Sequence, residues 1–404
     1  MHGEVKPALD RRVVISALGI SQILAWGSSF YFPAVFAEPI VRDTGWSLGM
    51  VVGGTSLGLL VAGLISPQVG RLIGRHGGRP VLLASSLFYA AGLAGVGLAP
   101  VLPVYLLGWV LIGAGMGTGL YDAVFAALGR MYGNEARAPI TNLTLFGGFA
   151  STVCWPLSAF MIEHAGWRGA CLIYAGLHLL FSLPLQMAVV RPAQAHRAAA
   201  AAEASVQAGP PRIAHEALIF ALLAIVLSLA AGIGSIVVVH LLIFLQARGV
   251  DFATAVSLGA LFGPAQVGAR VVERLFGARY HPIWTMIAAC TLMALGLLLL
   301  WSGFLLLLLL LLTILIYGAG YGVSWIGRGT LPLALFGPAR FPQLMGRLAF
   351  PSLIVQALAP SAGALLIETA GVDAAIATLT VLAMLNLALI GVLWRFWRLS
   401  SGAA

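Results

Sequence analysis

Charge is scarce in this chain: 22 basic and 13 acidic residues make up 9% of its 404 residues, against roughly 25% in an ordinary soluble domain. With 60% of residues hydrophobic, so few charges exclude a water-soluble globule, and the low charge and high hydrophobicity exclude a disordered chain. Cysteine is nearly absent. Cys154, Cys171 and Cys290 lie in apolar stretches without metal or redox spacing, so they are read as small core residues. Lysine is scarcer still, with Lys6 alone against 21 arginines among abundant Ala, Gly and Leu, a bias that suggests a GC-rich bacterial genome. No paired carboxylates, metal cluster or nucleophile-base spacing stands within the apolar runs, so neither an enzyme nor a cofactor is expected. The net charge of +9 does not indicate nucleic acid, because the basic residues fall in twos and threes between apolar runs rather than in a stripe or tail.

What is present is apolar length. Runs broken by charge, Gly or Pro predict helices near 13–37, 46–69, 80–99, 103–129, 139–163, 169–190, 215–246, 253–270, 281–301, 304–327, 343–367 and 373–396. Twelve spans of about 20 residues fit the length. Residues 284–327 carry no charge, and Trp301-Ser302-Gly303 is the expected turn of a hairpin between the ninth and tenth spans. The polar, basic stretch Met1 to Arg12 precedes an apolar run too long for a signal peptide, so the N-terminus is expected to be retained. Of the 22 basic residues, 19 fall in the segments on one side of twelve spans and only Arg42, Arg168 and Arg248 on the other. Basic residues stay cytoplasmic during insertion, so both termini are expected in the cytoplasm and the protein in the inner membrane. Arg191 to Arg212, bounded by Pro192 and Pro210-Pro211 with alanines at 198–202, reads as a linker. The expected organisation is a six-helix bundle over 1–190, a cytoplasmic linker over 191–214 and a second six-helix bundle over 215–404.

The two halves repeat one another. Ser56-Leu57-Gly58 through Gln68-Val69-Gly70 recurs as Ser257-Leu258-Gly259 through Gln266-Val267-Gly268; Gly115, Gly117 and Gly119 recur as Gly318, Gly320 and Gly322; Pro156, Glu163 and Gly166 recur as Pro360, Glu368 and Gly371. Offsets of 198 to 205 residues in chain order indicate one duplicated unit. Six helices per copy give a parallel repeat, whose bundles can rock about a central cleft. Gly113, Gly115, Gly117 and Gly119 are expected to give the fourth helix a smooth packing face.

After the second helix comes Gly70-Arg71-Leu72-Ile73-Gly74-Arg75-His76-Gly77-Gly78-Arg79. This resembles the loop 2–3 signature of the major facilitator superfamily: Gly70, Arg75, Gly77 and Arg79 fit, Gly74 stands where the family has an acid, and Gly78 replaces one base of the closing pair. Gly268 to Arg274, with Glu273, and Gly277 to Arg279 form a degenerate second copy, and Trp167-Arg168 is similar to the family's start of helix 6. The resemblance implies an all-α membrane fold of twelve helices in two parallel-repeat bundles, with the loop acting as a latch between them. It implies a secondary active transporter of a small organic solute, working by alternating access as a monomer in the bilayer, with a coupling proton as possible partner. The gate set is then Gly70, Arg71, Arg75, Gly77, Arg79, Asp122, Glu273, Arg274 and Arg328. Gly45-Trp46-Ser47 is similar to monocarboxylate and oxalate/formate-type members, although the helix 8 arginine expected there is absent: Arg270 is read into the loop, and Gln266 lies nearer that depth. The helix 5 signature of antiporters is also absent, and Trp109 stands in place of a helix 4 arginine, which weighs against the alternative of a proton-coupled drug or metabolite exporter. A non-transporting receptor or membrane enzyme is the remaining rival.

Asp122 reads as the one acid inside a span, a burial costing about 2.5–3.5 kcal/mol on insertion scales. Roughly 28 Å along the fourth helix from Pro103, it is expected to pair with Arg71, Arg75 or Arg328 as a gate rather than to carry a proton. His240 lies deep in the seventh helix, where carrying a coupling proton or binding an anionic group are the functional readings; hydrogen bonding to a neighbouring helix is preferred to either. Helices that line the family's cavity supply the cleft candidates Gln22, Trp26, Tyr31, Tyr121, Thr152, Trp155, His240, Gln266, Tyr317, Tyr321, Trp325 and Gln356. Aromatics with polar edges and amides suit a small, partly apolar organic molecule.

Overall fold

The computed structural model describes residues 10–190, 215–302 and 307–401, and the described residues form helices without strands. The expected linker over 191–214 and Gly303 of the expected turn at 301–303 lie outside the described residues. The helices are α1 (Arg11–Gly27), α2 (Pro33–Thr44), α3 (Leu48–His76), α4 (Gly78–Gly97), α5 (Leu102–Gly119), α6 (Tyr121–Tyr132), α7 (Arg137–Gly148), α8 (Ala150–Leu177) and α9 (Leu183–Val189), followed by α10 (Glu216–Gln246), α11 (Phe252–Ala260), α12 (Phe262–Phe276), α13 (Pro282–Trp301), α14 (Leu307–Phe336), α15 (Phe341–Ala370) and α16 (Val372–Ser401). Nine helical stretches among the described residues are long and apolar enough to cross a membrane. One of them, Leu102–Val189, runs through three expected spans, and the first span is split between α1 and α2, so all twelve expected segments are accounted for.

Several spans expected to be continuous are broken, for identifiable reasons. In the first, the hydroxyls of Ser28 and Ser29 donate back to the carbonyls of Leu24 (2.7 Å) and Ala25 (2.5 Å), competing with the helical ladder. In the fourth, Leu120 is extended between α5 and α6, and the side-chain amide of Gln22 donates to the carbonyl of Gly119 there at 2.5 Å. Backbone freed at membrane depth must find such a partner. The fifth span kinks at Phe149 between α7 and α8, and α8 turns at Gly166, whose φ is +68°. The repeat partner Gly371 has φ +87°, so the duplicated glycine marks the same turn in both halves, where a side chain would be strained.

Packing repeats as the sequence does. In the first half α4 packs on α5, α3 on α5, α1 on α7 and α4 on α8; in the second, α13 on α14, α12 on α14, α10 on α15 and α13 on α16. The glycines of α5 make these approaches possible, but on two faces rather than one. A Cβ on Gly117 would stand 2.8 Å from Ile65 of α3, while one on Gly115 would stand 3.0 Å from the Tyr89 ring of α4. At 100° per residue, positions two apart cannot share a stripe.

Two further boundaries differ from expectation. The tenth span continues to Phe336 and the eighth to Phe276, so Arg328, Arg270, Glu273 and Arg274 lie inside helices rather than in loops. Asp122 is therefore not the only acid within a helical span, and it stands in the first turn of α6, just past the break at Leu120 in the fourth span.

Candidate functional site

The main contacts between the first and second halves all involve one end of the bundle. They run between α3 and α15, α6 and α15, α7 and α12, and α7 and α14, at the face that carries the arginine-rich segments. There Gly70 lies against the backbone of Pro342 and Gly346, a Cβ on it standing 2.5 Å from the Pro342 carbonyl. Gly129 meets the Phe341 ring, and Gly329 meets Ile140 and Phe125. Arg137 donates to the carbonyls of Tyr280 (2.6 Å) and Gly277 (2.8 Å), and Arg274 donates to Asn142 at 2.5 Å. Ion pairs at the opposite face stay within one half: Arg42 with Glu38, Arg168 with Asp43 at 3.3 Å, and Arg248 with Asp373 at 2.6 Å. The described contacts across the halves thus concentrate toward the arginine-rich face, where a cavity of about 440 Å³ is lined from both halves by Arg137, Thr141, Glu273 and Arg274 among others.

Just inside these contacts lies the strongest charge contact across the halves. Arg328 of α14 donates Nε and Nη2 to the two carboxylate oxygens of Asp122 at 2.7 and 2.9 Å, and Nη1 to the Ser352 hydroxyl at 2.6 Å. Arg328 is 5% exposed and Asp122 17%. The carboxylate sits in the first turn of α6, where the helix dipole favours negative charge. Of the three arginines expected within its reach, Arg328 is the partner; Arg71, Arg75 and Arg79 form no ion pair among the described residues. Glu273 accepts from Thr285 of its own half at 2.6 Å, and its charge acts on Arg137 of the first half, with which it lines one cavity. Gly74 faces the aliphatic stem of Gln343 at van der Waals distance, 3.4 Å from a built Cβ, and Gly77 turns the chain at φ +81°.

Above the ion pair the aromatic candidates converge. Trp26 lies 5.0 Å from Tyr121, 5.4 Å from Trp325 and 6.2 Å from Tyr31 between ring centroids; Tyr121 and Trp325 are 5.5 Å apart, and Tyr321 stands 6.1 Å from Trp325. Tyr31 meets Trp155 edge-on at 6.1 Å, and Trp155 is 46% exposed. These six rings come from the first, fourth, fifth and tenth spans and form a cage in which Trp26, Tyr121, Tyr321 and Trp325 are buried. The indole N–H of Trp26 and the amide oxygen of Gln22 are buried without a protein partner. A void of about 20 Å³, lined by Tyr321, Ser324, Trp325 and Arg328 among others, lies beside the cage, room for about one water.

The remaining candidates do not join the cage. His240 bonds the Pro360 carbonyl at 3.0 Å, and the Gln356 carbonyl, left without its helical donor by Pro360, accepts from Ser235 at 3.1 Å. Tyr317 stacks on Phe262 and packs on Gly296. Thr152 is exposed. Trp109 fills space against Gly54 and Phe32.

One residue at this site was not among the candidates. Arg270 of α12 is 3% exposed; its Nη1 donates to the Thr144 carbonyl of the first half at 2.6 Å, its Nε to the Gly322 carbonyl at 2.9 Å, and its Nη2 reaches Gln266 at 3.4 Å. All these acceptors are neutral. Tyr121 donates its hydroxyl to the same Thr144 carbonyl at 3.3 Å, which brings the guanidinium to the wall of the cage. Among the described residues no carboxylate pairs with Arg270. The sequence carried one signal: Arg270 stands four residues after Gln266, one helical turn along the same face.

A profile of the Major Facilitator Superfamily matches residues 18–280. Rat monocarboxylate transporter 3 is 32% identical over 160 residues, covering 38% of this chain and 32% of that protein; the chain thus spans about a third of that relative's length. Among solved structures, the human organic anion transporter MFSD10 (TETRAN) superposes with a TM-score of 0.74 at 17% identity, covering 95% of this chain and all of that one (100%). The proton:xylose symporter XylE superposes with a TM-score of 0.70 at 12% identity, covering 94% of both chains. These two likenesses are of fold.

Proposed function

The chain belongs to the major facilitator superfamily, and from that premise we propose that it is a secondary active transporter of a small organic carboxylate, with Arg270 as the group that receives the anion. The observation that carries this reading is a guanidinium buried between the halves with only neutral acceptors. A buried cation without a counter-charge is costly, and in an intramembrane cleft it marks a place for a mobile anion. A planar fork of N–H donors matches a carboxylate bidentately, while the cage rings and the free Trp26 N–H receive an organic body with a polar edge. The names of the monocarboxylate and organic anion transporters it resembles agree with this class of cargo.

The cleft faces away from the arginine-rich side. Because arginines are retained inside, that side is cytoplasmic, both termini are cytoplasmic, and the described state is open outward. Two bundles over 1–190 and 215–404 rock about the cleft, joined through 191–214. Asp122 and Arg328 hold them together and must separate when the cargo is released inward.

The test is counterflow of radiolabelled lactate, pyruvate and acetate in proteoliposomes. A charge-assisted hydrogen bond contributes about 1.5–3 kcal/mol, so Arg270→Gln is expected to lower counterflow of the transported acid by roughly tenfold to a hundredfold, with Arg270→Lys between the two. Undiminished counterflow in Arg270→Gln, or equal competition by a neutral sugar, contradicts the reading.

A further inference from the structure

The cavity of about 440 Å³ at the arginine-rich face has no part in the anion site. The first half lines it with Arg11, Glu135, Arg137 and Thr141, and the second with Glu273 and Arg274. Arg137 and Thr141 stand one turn apart on α7, and Arg274 stands one turn beyond Arg270 on α12. A rise of about 6 Å along α12 therefore separates the Arg274 wall of the cavity from Arg270, and the cavity lies on the way from the cage to the arginine-rich face.

Its charges do not cancel: three guanidiniums line it against two carboxylates. Arg11 pairs with Glu135, which leaves Glu273 to serve two arginines. Glu273 accepts from Thr285, and its charge acts on Arg137. Arg137 gives Nη1 and Nη2 to the carbonyls of Tyr280 and Gly277, and Arg274 gives Nε to the side-chain oxygen of Asn142, so both guanidiniums rest on neutral acceptors. Among the described residues, neither Nη of Arg274 and not the Thr141 hydroxyl donates a hydrogen bond. Asn142, on the first half, holds the Arg274 fork in place across the seam.

The donors stand on two facing walls, and that decides the chemistry of the occupant. A planar carboxylate presents one edge of two oxygens, which a single guanidinium fork takes up. A phosphate monoester carries about −1.5 to −2 charge at neutral pH and three terminal acceptor oxygens, so it can accept from Arg274 on α12 and from Arg137 and Thr141 on α7 at once. The volume is more than a bare phosphate fills, and Glu135 and Glu273 supply acceptors for hydroxyl groups on the rest of the molecule.

We infer that this cavity is a second anion site, which binds the phosphate monoester of a small hydroxylated molecule from the arginine-rich, cytoplasmic side and ties α7 to α12 through the phosphate. The bound molecule holds the halves together at that face and stands in the path of a carboxylate leaving Arg270, so it opposes inward release. The effect on release rests on the transport reading; the phosphate site does not.

The experiment titrates the full chain, in phosphatidylcholine nanodiscs and phosphate-free buffer of constant ionic strength, with glycerol 3-phosphate by isothermal calorimetry. Saturable binding is expected in the wild type. Loss of a charge-assisted bond is expected to weaken it roughly tenfold or more in Arg274→Gln and in Arg137→Gln, with Arg274→Lys between. Arg270→Gln is expected to bind as the wild type does, which separates this site from the cargo site. Inorganic phosphate is expected to compete, and acetate or glycerol at the same concentration is not. If Arg137→Gln fails to fold, Arg274→Gln carries the test, since Arg274 is exposed. No saturable heat, equal binding in Arg274→Gln, displacement by acetate, or loss of binding in Arg270→Gln each overturns the site. Glycerol 3-phosphate is further expected to reduce maleimide labelling of a cysteine introduced at Arg71, and to lose that effect when Arg274→Gln is added. Binding with unchanged labelling overturns the hold on the halves and leaves the site standing.

Discussion

At the scale of single residues, Asp122 and Arg328 are each tolerable in the bundle only because of the other. Removing one partner of a buried pair typically costs about 3–5 kcal/mol. Asp122→Ala leaves Arg328 with Ser352 as its remaining side-chain acceptor, so a loss of that order, read as a drop in thermal midpoint, is expected. The exchange Asp122→Arg with Arg328→Asp is expected to recover more stability than either single change, whereas Asp122→Arg with Arg75→Asp is expected to recover nothing. The acid and its possible partners were legible in the sequence, because a lone acid in an apolar run must be neutralised. The choice among the partners was not legible: it depends on the tenth span continuing to Phe336, which carries Arg328 into the bundle. Arg270 was hidden by the same ambiguity. A glycine-arginine pattern reads as a loop, yet the helix runs through it to Phe276.

At the scale of helices, the seal depends on how closely α3 and α15 approach. Gly70 leaves no room for a side chain against Pro342 and Gly346, whose backbones cannot yield cheaply, whereas Gly74 faces only the flexible Gln343. Gly70→Val is therefore expected to wedge the arginine-rich face open, increasing maleimide labelling of a cysteine introduced at Arg71. Gly74→Asp is expected to fold normally and to reduce that labelling, because the carboxylate can accept from the Gln343 amide. Unchanged labelling in both variants contradicts this account of the latch. Apolar runs located the spans well, since lipid admits few alternatives to a helix. The breaks at Ser28 and Leu120 escaped because both lie within long apolar runs; they are set by serine hydroxyls turned on backbone carbonyls one turn back and by Gln22 reaching across from α1.

At the scale of the whole molecule, the duplicated sequence and the duplicated packing describe the same object. Gly166 and Gly371 turn alike, and the pairings of one half recur in the other. That symmetry was legible because a repeat leaves spaced matches in the chain, whereas the state of the cleft was not, since the two open states share one sequence. The central claim is that the halves are sealed at one face and part at the other, and that a carboxylate in the cleft reverses this. Spin labels at Arg75 and Gln343 report the arginine-rich face, and labels at Met50 and Leu365 the opposite one; all four positions are exposed. The most direct test is double electron-electron resonance on both pairs, with and without the transported acid. The account predicts a new population in which the Arg75–Gln343 distance lengthens while the Met50–Leu365 distance shortens. Two distances that stay fixed, or that lengthen together, would contradict it.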